Sequence, residues 1–274
     1  ADIAIDSNNE NIWYVAVGSG GVWKTKNAGT TWMPLTDNMP FYSTGSITID
    51  PNDSSRIWVG TGENVAGRHV GIGHGIYLSK DSGSTWDDMG LNKSEHISKI
   101  IVHPDNSNII WVASQGPLWN SGGDRGLFMS TDGGNTWSNK LYVNEWTGVT
   151  DIIIDPTNPD ILYAATWQRH RNVASLIDGG PGTSIYKSID GGNTWNEIDS
   201  GLPSSNMGKI GLAISPMKPE VIYAAIELDR RSGAVFRSDN SGGVWKKMSN
   251  TVAGATGPHY YQELYASPHV FDRI

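Results

Sequence analysis

One octet recurs five times along the chain, and each copy closes on tryptophan. The copies are Thr25–Trp32 (TKNAGTTW), Ser79–Trp86 (SKDSGSTW), Ser130–Trp137 (STDGGNTW), Ser188–Trp195 (SIDGGNTW) and Ser238–Trp245 (SDNSGGVW). The closing tryptophans stand 54, 51, 58 and 50 residues apart. A period near 50 residues marks a stacked repeat, in which each unit buries an apolar face that it cannot bury alone.

Each octet is preceded by two apolar runs around a polar turn, as in ITIDPNDSSRIWVGT from Ile47 and IIIDPTNPDILYAAT from Ile152. These read as a strand, an Asn/Asp/Pro turn and a second strand. A third short strand follows (GVWKT at Gly21, GIYLS at Gly75, GLFMS at Gly126), and a fourth follows each tryptophan. Four short strands per unit, with no helical period between them, predict an all-β chain of the β-propeller class with four-stranded antiparallel blades. The blades fall at about 1–44, 45–98, 99–148, 149–208 and 209–256, with 257–274 as the start of a further one. Within the octet, Asp81, Asp132 and Asp190 hold the turn amides; Asn27 and Asn240 stand at the same place in the first and last copies. Trp32, Trp86, Trp137, Trp195 and Trp245 are expected to pack between blades.

Composition narrows the function. The 274 residues carry a net charge of −8 and no basic cluster, which disfavours nucleic acid and anionic lipid as partners. Cysteine is absent, so disulfides and thiolate chemistry are excluded. No apolar run has the length of a membrane span. No phosphate loop or dinucleotide fingerprint occurs, so no cofactor is expected; His69 and His74 are not at a metal-ligand spacing, and no metal is expected. The opening ADIAID is already strand-like, which suggests a processed or partial chain.

The octets resemble the Asp-box, or BNR repeat, found in sialidases, xyloglucanases, sortilin-type receptors and photosystem assembly factors. The phrases SGGVWKTKNAGTTW, VGTGEN, SEHISKIIVHP, YAATWQRHR and GGPGTSIYKS are similar to those of large secreted bacterial proteins with a sortilin-type propeller, often labelled glycosyl hydrolases. That resemblance implies a secreted or cell-surface protein with further blades or domains. Xyloglucanases of this repeat type carry a catalytic Asp before Gly-Gly, in a phrase like DIGGAYRW; the matching stretch here is GSGGVWKT, with Gly18 at that position. The Arg-Ile-Pro phrase of sialidases is absent, although Arg68, Arg125 and Arg169 lie on successive blades as an Arg triad would require.

Blade topology puts the 1–2 turns and the octets at one end of the sheets. The 2–3 and 4–1 loops lie at the other end, and they are irregular: Thr61–His74, Gln115–Arg125 and Trp167–Thr183 are long. Irregular loops on a regular scaffold are where binding usually resides. Trp119, Trp146 and Trp167 fall there, with Arg68, Arg125, Arg169, Arg171, His69 and His170. Tyr42, His74 and His96 join them, as do Tyr260 and Tyr261 if a sixth blade follows. Such a mixture stacks on sugar rings and bonds hydroxyls, or anchors a protein partner. A hydrolase needs two carboxyls, about 5–5.5 Å apart for retention or about 6.5–9.5 Å for inversion. Glu63, Glu95 and Glu145 are the candidates. The expected function is binding of a protein, peptide or glycan ligand at the 2–3 loop end. The alternatives are a glycoside hydrolase and a structural wall of a multi-propeller protein.

Overall fold

The computed structural model describes residues 2–228, 232–250 and 262–274. Tyr260 and Tyr261 lie outside them. Five antiparallel sheets follow one another in sequence. Sheet 1 holds β1 (Asp2–Ile5), β2 (Trp13–Val17), β3 (Gly21–Thr25) and β4 (Met33–Pro34). Sheet 2 holds β5 (Thr44–Asp50), β6 (Asp53–Thr61), β7 (Ile76–Ser79) and β8 (Asp87–Asp88). Sheet 3 holds β9 (Ile97–His103), β10 (Asn106–Ser114), β11 (Gly126–Ser130) and β12 (Ser138–Leu141). Sheet 4 holds β13 (Thr147–Asp155), β14 (Asn158–Arg171), β16 (Ile185–Ser188) and β17 (Asn196–Glu197), and β15 (Leu176–Asp178) pairs with the far end of β14. Sheet 5 holds β18 (Ile210–Ile214), β19 (Ile222–Glu227), β20 (Gly233–Ser238) and β21 (Lys246–Lys247).

The chain divides into two compact units. The first comprises Ala1–Asn64, His69–Pro117 and Gly122–Asn139. The second comprises Lys140–Ile274 together with two short pieces, Val65–Arg68 and Leu118–Ser121.

In each unit, successive sheets pack face to face. Tyr14, Ala16 and Val22 of sheet 1 meet Ile47, Ile57, Val59 and Tyr77 of sheet 2 in one core. Trp58 and Leu78 of sheet 2 meet Ile100, Ile110, Val112 and Phe128 of sheet 3 in another. In the second unit, Tyr163, Ala165 and Ile185 of sheet 4 meet Leu212, Ile222, Ala224 and Phe236 of sheet 5. These side chains are those that the period-2 alternation of the apolar runs puts on one face. Burying each large one stabilises by about 1.5–3 kcal/mol. A carboxylate tacks two of these junctions: Asp2 accepts the Ile47 N–H (3.0 Å) and Asp151 the Leu212 N–H (2.8 Å).

The octets are the β3–β4, β7–β8, β11–β12, β16–β17 and β20–β21 turns. In the second, Ser79 Oγ accepts the Gly83 N–H (2.7 Å) and donates to Asp81 (2.8 Å). The Asp81 carboxylate accepts the Thr85 N–H (2.8 Å) and O–H (2.7 Å). Asp132 and Asp190 repeat this with Thr136 and Thr194. The threonine hydroxyl, then its amide, hold all three carboxyls down at about 2. Asn27 and Asn240 accept the Thr31 and Val244 N–H groups in the same way. Ser82 (φ 59°) and Gly133 (φ 75°) take the left-handed conformation the turn requires. The N–H of that position bonds the 1–2 turn of its own sheet: Ala28 to Asn11 O, Ser82 to Ser55 O, Gly133 to Asn108 O, Gly191 to Asp160 O and Ser241 to Glu220 O. Both turns therefore share one end of every sheet.

Three octet tryptophans reach back one sheet. The indole N–H of Trp86 donates to Leu35 O, that of Trp137 to Met89 O and that of Trp245 to Ile198 O. The other two indoles differ. Trp195 donates to Gly192 O of its own turn. Trp32 follows the first octet, has no earlier sheet beneath it among the described residues, and is exposed beside Trp13. Apolar side chains are also exposed on the outer face of sheet 1 among the described residues. Ile3 and Ile5 are 52% and 50% exposed, and Val15, Val17, Trp23 and Trp32 line an apolar groove there. On sheet 5 the corresponding outer residues, Ala213, Val221 and Tyr223, are covered by Leu264, Ala266 and Phe271. Asp272 ties this tail down, accepting from Tyr223 Oη (2.7 Å) and pairing with Arg237 (2.7 Å).

Candidate functional site: the ends of the sheets opposite the octets

In sheet 2 the β6–β7 connection folds back on itself. The Glu63 N–H donates to Gly71 O (3.0 Å) and the Gly71 N–H to Glu63 Oε2 (2.7 Å). Gly73 sits so close to Thr61 and Gly62 that a Cβ there would lie 2.2 Å from backbone. The Glu63 carboxylate also leans on the β2–β3 loop: a Cβ on Gly18 would stand 2.6 Å from Glu63 Oε1. Beneath it lies His96, buried, with Nδ1 2.9 Å from Glu63 O. Glu95 adopts φ 63° and is half-buried; its carbonyl accepts the Gly73 N–H. His69 and His74 are exposed.

Four of the six residues expected as ligand contacts on the β10–β11 and β14–β16 connections are internal, and this corrects the sequence reading for those four. Arg125 is buried and donates to Gln115 O (2.7 Å), Pro117 O (2.5 Å) and Gly122 O (3.2 Å), so its guanidinium staples the loop it belongs to. Trp167 is buried under two cations, Arg169 at 5.0 Å and Lys209 at 5.5 Å from its ring centre. Arg169 and Arg171 point inward and grip the Val65–Arg68 piece. Arg169 donates to Val65 O (2.8 Å), and Arg171 donates twice to Ala66 O (3.1 and 2.9 Å). The physical reason is that buried carbonyls without a strand partner need donors, and a guanidinium supplies several in a fixed fork.

The span Trp167–Thr183 is also more regular than expected. β14 continues to Arg171 and turns at Asn172, and β15 pairs back through Arg171↔Leu176, His170↔Ile177 and Arg169↔Asp178. Along β14, residues 167, 169 and 171 face inward while His170 faces outward. His170 stacks on Trp146, with ring centres 4.1 Å apart and planes tilted by 36°. Both rings are half-buried, and Ile177, opposite His170, is 49% exposed. Trp146 is held from below, because the Arg169 N–H donates to its carbonyl (3.2 Å). Leu118 O accepts the Arg171 N–H (3.0 Å), which brings the half-exposed Trp119 to the same strand end. Arg68 and Glu145 are exposed. Of the expected aromatic set, Trp146, His170 and Trp119 are half-buried, Tyr42 is exposed, and Trp167 is buried.

Where β15 ends, Asp178 and Glu227 hydrogen-bond to each other through their carboxyl groups. They line one wall of a cleft of about 480 Å³ with Ser205, Asn206 and the Gly179 and Gly208 backbones. Burial raises both carboxyls. Glu227, beside the Asp178 charge, is pushed to about 8, and Asp178, beside Arg169, Lys209 and Arg171, to about 6. Among the described residues, no group of three or more His, Asp or Glu is placed to hold a metal ion. No helix there is long and apolar enough to cross a membrane.

Comparison with known structures places this architecture. An ancestral GH74 enzyme superposes with a TM-score of 0.73 over 98% of this chain and 33% of its own, at 22% identity. The fold is a β-propeller. A family model described as Sortilin, neurotensin receptor 3, matches residues 20–141, less than half of the chain. The propeller is 25% identical to the xyloglucanase Xgh74A of Acetivibrio thermocellus, over 91% of this chain and 30% of that protein. It is 25% identical to a xyloglucanase of a Paenibacillus species, over 94% of this chain and 27% of that protein. The chain therefore spans about a third or less of the length of these relatives.

Sequence reasoning missed the Asp178–Glu227 pair. One signal was available: Glu227 closes IYAAIE, a strand whose every residue is buried. A carboxylate ending a wholly buried strand needs a nearby partner.

Proposed function

We propose that this propeller binds a polysaccharide of the xyloglucan class at the end of its sheets opposite the octets. A polymeric ligand of that kind places its work outside the cell. The observation that carries the reading is the Trp146–His170 stack. Two half-exposed rings in contact, on a strand end held by the Arg169 N–H bond to Trp146 O, offer aromatic surface on which the C–H face of a pyranose can stack. The exposed Ile177 extends the apolar strip, and the exposed Glu145 supplies an acceptor for sugar hydroxyls. Similarity to xyloglucanases over more than nine-tenths of the chain supports the ligand class.

A hydrolytic reading has one observation of its own. The Glu63 carboxylate occupies the space that a side chain at position 18 would need, and position 18 matches the acid of the xyloglucanase phrase. In that reading Glu63 acts as the base toward water, and the whole protein supplies the opposing acid.

One experiment addresses both. The full-length protein is incubated with xyloglucan, and retained polymer and released oligosaccharide are measured. The double substitution Trp146→Ala with His170→Ala is expected to weaken retention about tenfold. Unchanged retention overturns the binding reading. Product formation that Glu63→Gln abolishes establishes the hydrolytic one, and product insensitive to that change removes Glu63 from it.

A further inference from the structure

The end of the β14–β15 hairpin is tied to sheet 5 at few points. Among the described residues, a single backbone bridge beyond Asp178 joins Gly180 and Met207, through the Gly180 N–H to Met207 O (3.3 Å). Gly179 passes so close that a Cβ would lie 2.6 Å from Met207 O. On the other side Glu227 is firmly placed. Its N–H donates to Lys209 O (3.0 Å), its carbonyl accepts the Gly208 N–H (2.9 Å), and its Oε2 accepts the Lys209 N–H (3.1 Å).

Between these two elements stands the carboxyl–carboxyl contact. A carboxylate only accepts hydrogen bonds, so two carboxyls that bond each other hold a proton between them. The charged groups that act on the pair among the described residues are Arg169 and Arg171 of β14 and Lys209 ahead of β18. Asp151 of β13 and Glu263 of the tail act on Lys209 in turn.

We infer that the Asp178–Glu227 contact is a proton-operated latch, which pins the hairpin end to sheet 5 while the shared proton is present and frees it when the proton leaves. It is independent of the glycan reading and needs no ligand. The three cations favour the charged form of Asp178, so Glu227 carries the proton. Glu227 is raised in the fold above its ordinary value of 4.5. Its contribution is therefore full below that value and is lost as pH rises through about 8. Lys209, fully buried and lowered to about 8 by that burial, stops compensating over the same range. Two adjacent carboxylates then repel across the wall of the cleft, and the hold on the hairpin end, which includes the Gly180 bridge, is weakened.

Amide hydrogen exchange on the whole chain tests this. The readout is the protection of the Gly180, Gly208 and Lys209 amides, corrected for the intrinsic pH dependence of exchange, from about pH 5.5 to about pH 9. Protection is expected to fall about tenfold in the wild type as local opening sets in. In Glu227→Gln the amide donates to Asp178 without a titrating proton, and protection is expected to stay flat within about twofold. Asp178→Asn places the donor on the other partner and should behave alike, so it serves if Glu227→Gln fails to fold. A flat wild-type profile overturns the latch. So does a variant whose protection falls in parallel with the wild type.

Discussion

A single carboxylate closes three of the five octets, and its partners lie within four residues. That locality makes substitution at Asp132 informative. Asp132→Ala leaves the Thr136 N–H and O–H and the Ser130 hydroxyl without their acceptor, and is expected to lower Tm by several degrees. Asp132→Asn is expected to cost clearly less in the same thermal unfolding experiment, because Asn27 and Asn240 already fill this position in two turns. The same locality is why these residues could be read from the chain alone: Ser79, Asp81 and Thr85 meet wherever the turn forms. Arg169 could not be read so. The carbonyl it satisfies, Val65 O, is 104 residues away, and nothing near Arg169 in sequence distinguishes a buried donor from an exposed ligand contact. Asp178 and Glu227 are hidden in the same way.

At the scale of elements, strand order and sheet membership were legible because alternation and turn chemistry repeat with the period. What broke the period was misread. β14 runs on past the sheet as a hairpin, and its alternation survives with Arg169 and Arg171 at inward positions that an apolar residue would normally occupy. An arginine at an inward strand position implies an internal acceptor, and Val65–Arg68 supplies it. Arg171→Ala is expected to cost about 1.5–3 kcal/mol, because the Ala66 carbonyl loses a charged donor. Limited proteolysis should then cut near Ala66 faster than in the wild type. Unaltered cleavage together with unaltered stability would show that the grip is not what holds that piece.

For the whole molecule, the outer face of sheet 1 matters most. Ile3 and Val15 occupy the register positions that Ile47 and Val59 hold in sheet 2, where both are buried by the sheet before. That face of sheet 1 therefore presents an apolar strip. The 274-residue chain is expected to self-associate through it, since an apolar strip along a sheet seeks cover. Ile3→Lys with Ile5→Lys should raise the monomer fraction in light scattering while changing stability by no more than about 0.5 kcal/mol, as both side chains already stand half in water. Association unaffected by that pair would assign it to another surface.

The bonding of the octets bears on how such a chain changes length over generations. Each turn closes on the hairpin of its own sheet, and its indole reaches no further than one sheet back. A recombination event that inserts or removes one whole repeat therefore leaves every other turn chemically complete. It disturbs one indole-to-carbonyl contact and one packed face. Copy number can drift by whole units without a compensating change in any turn, and loops such as the one bearing the Trp146–His170 stack can be acquired or lost with the unit that carries them.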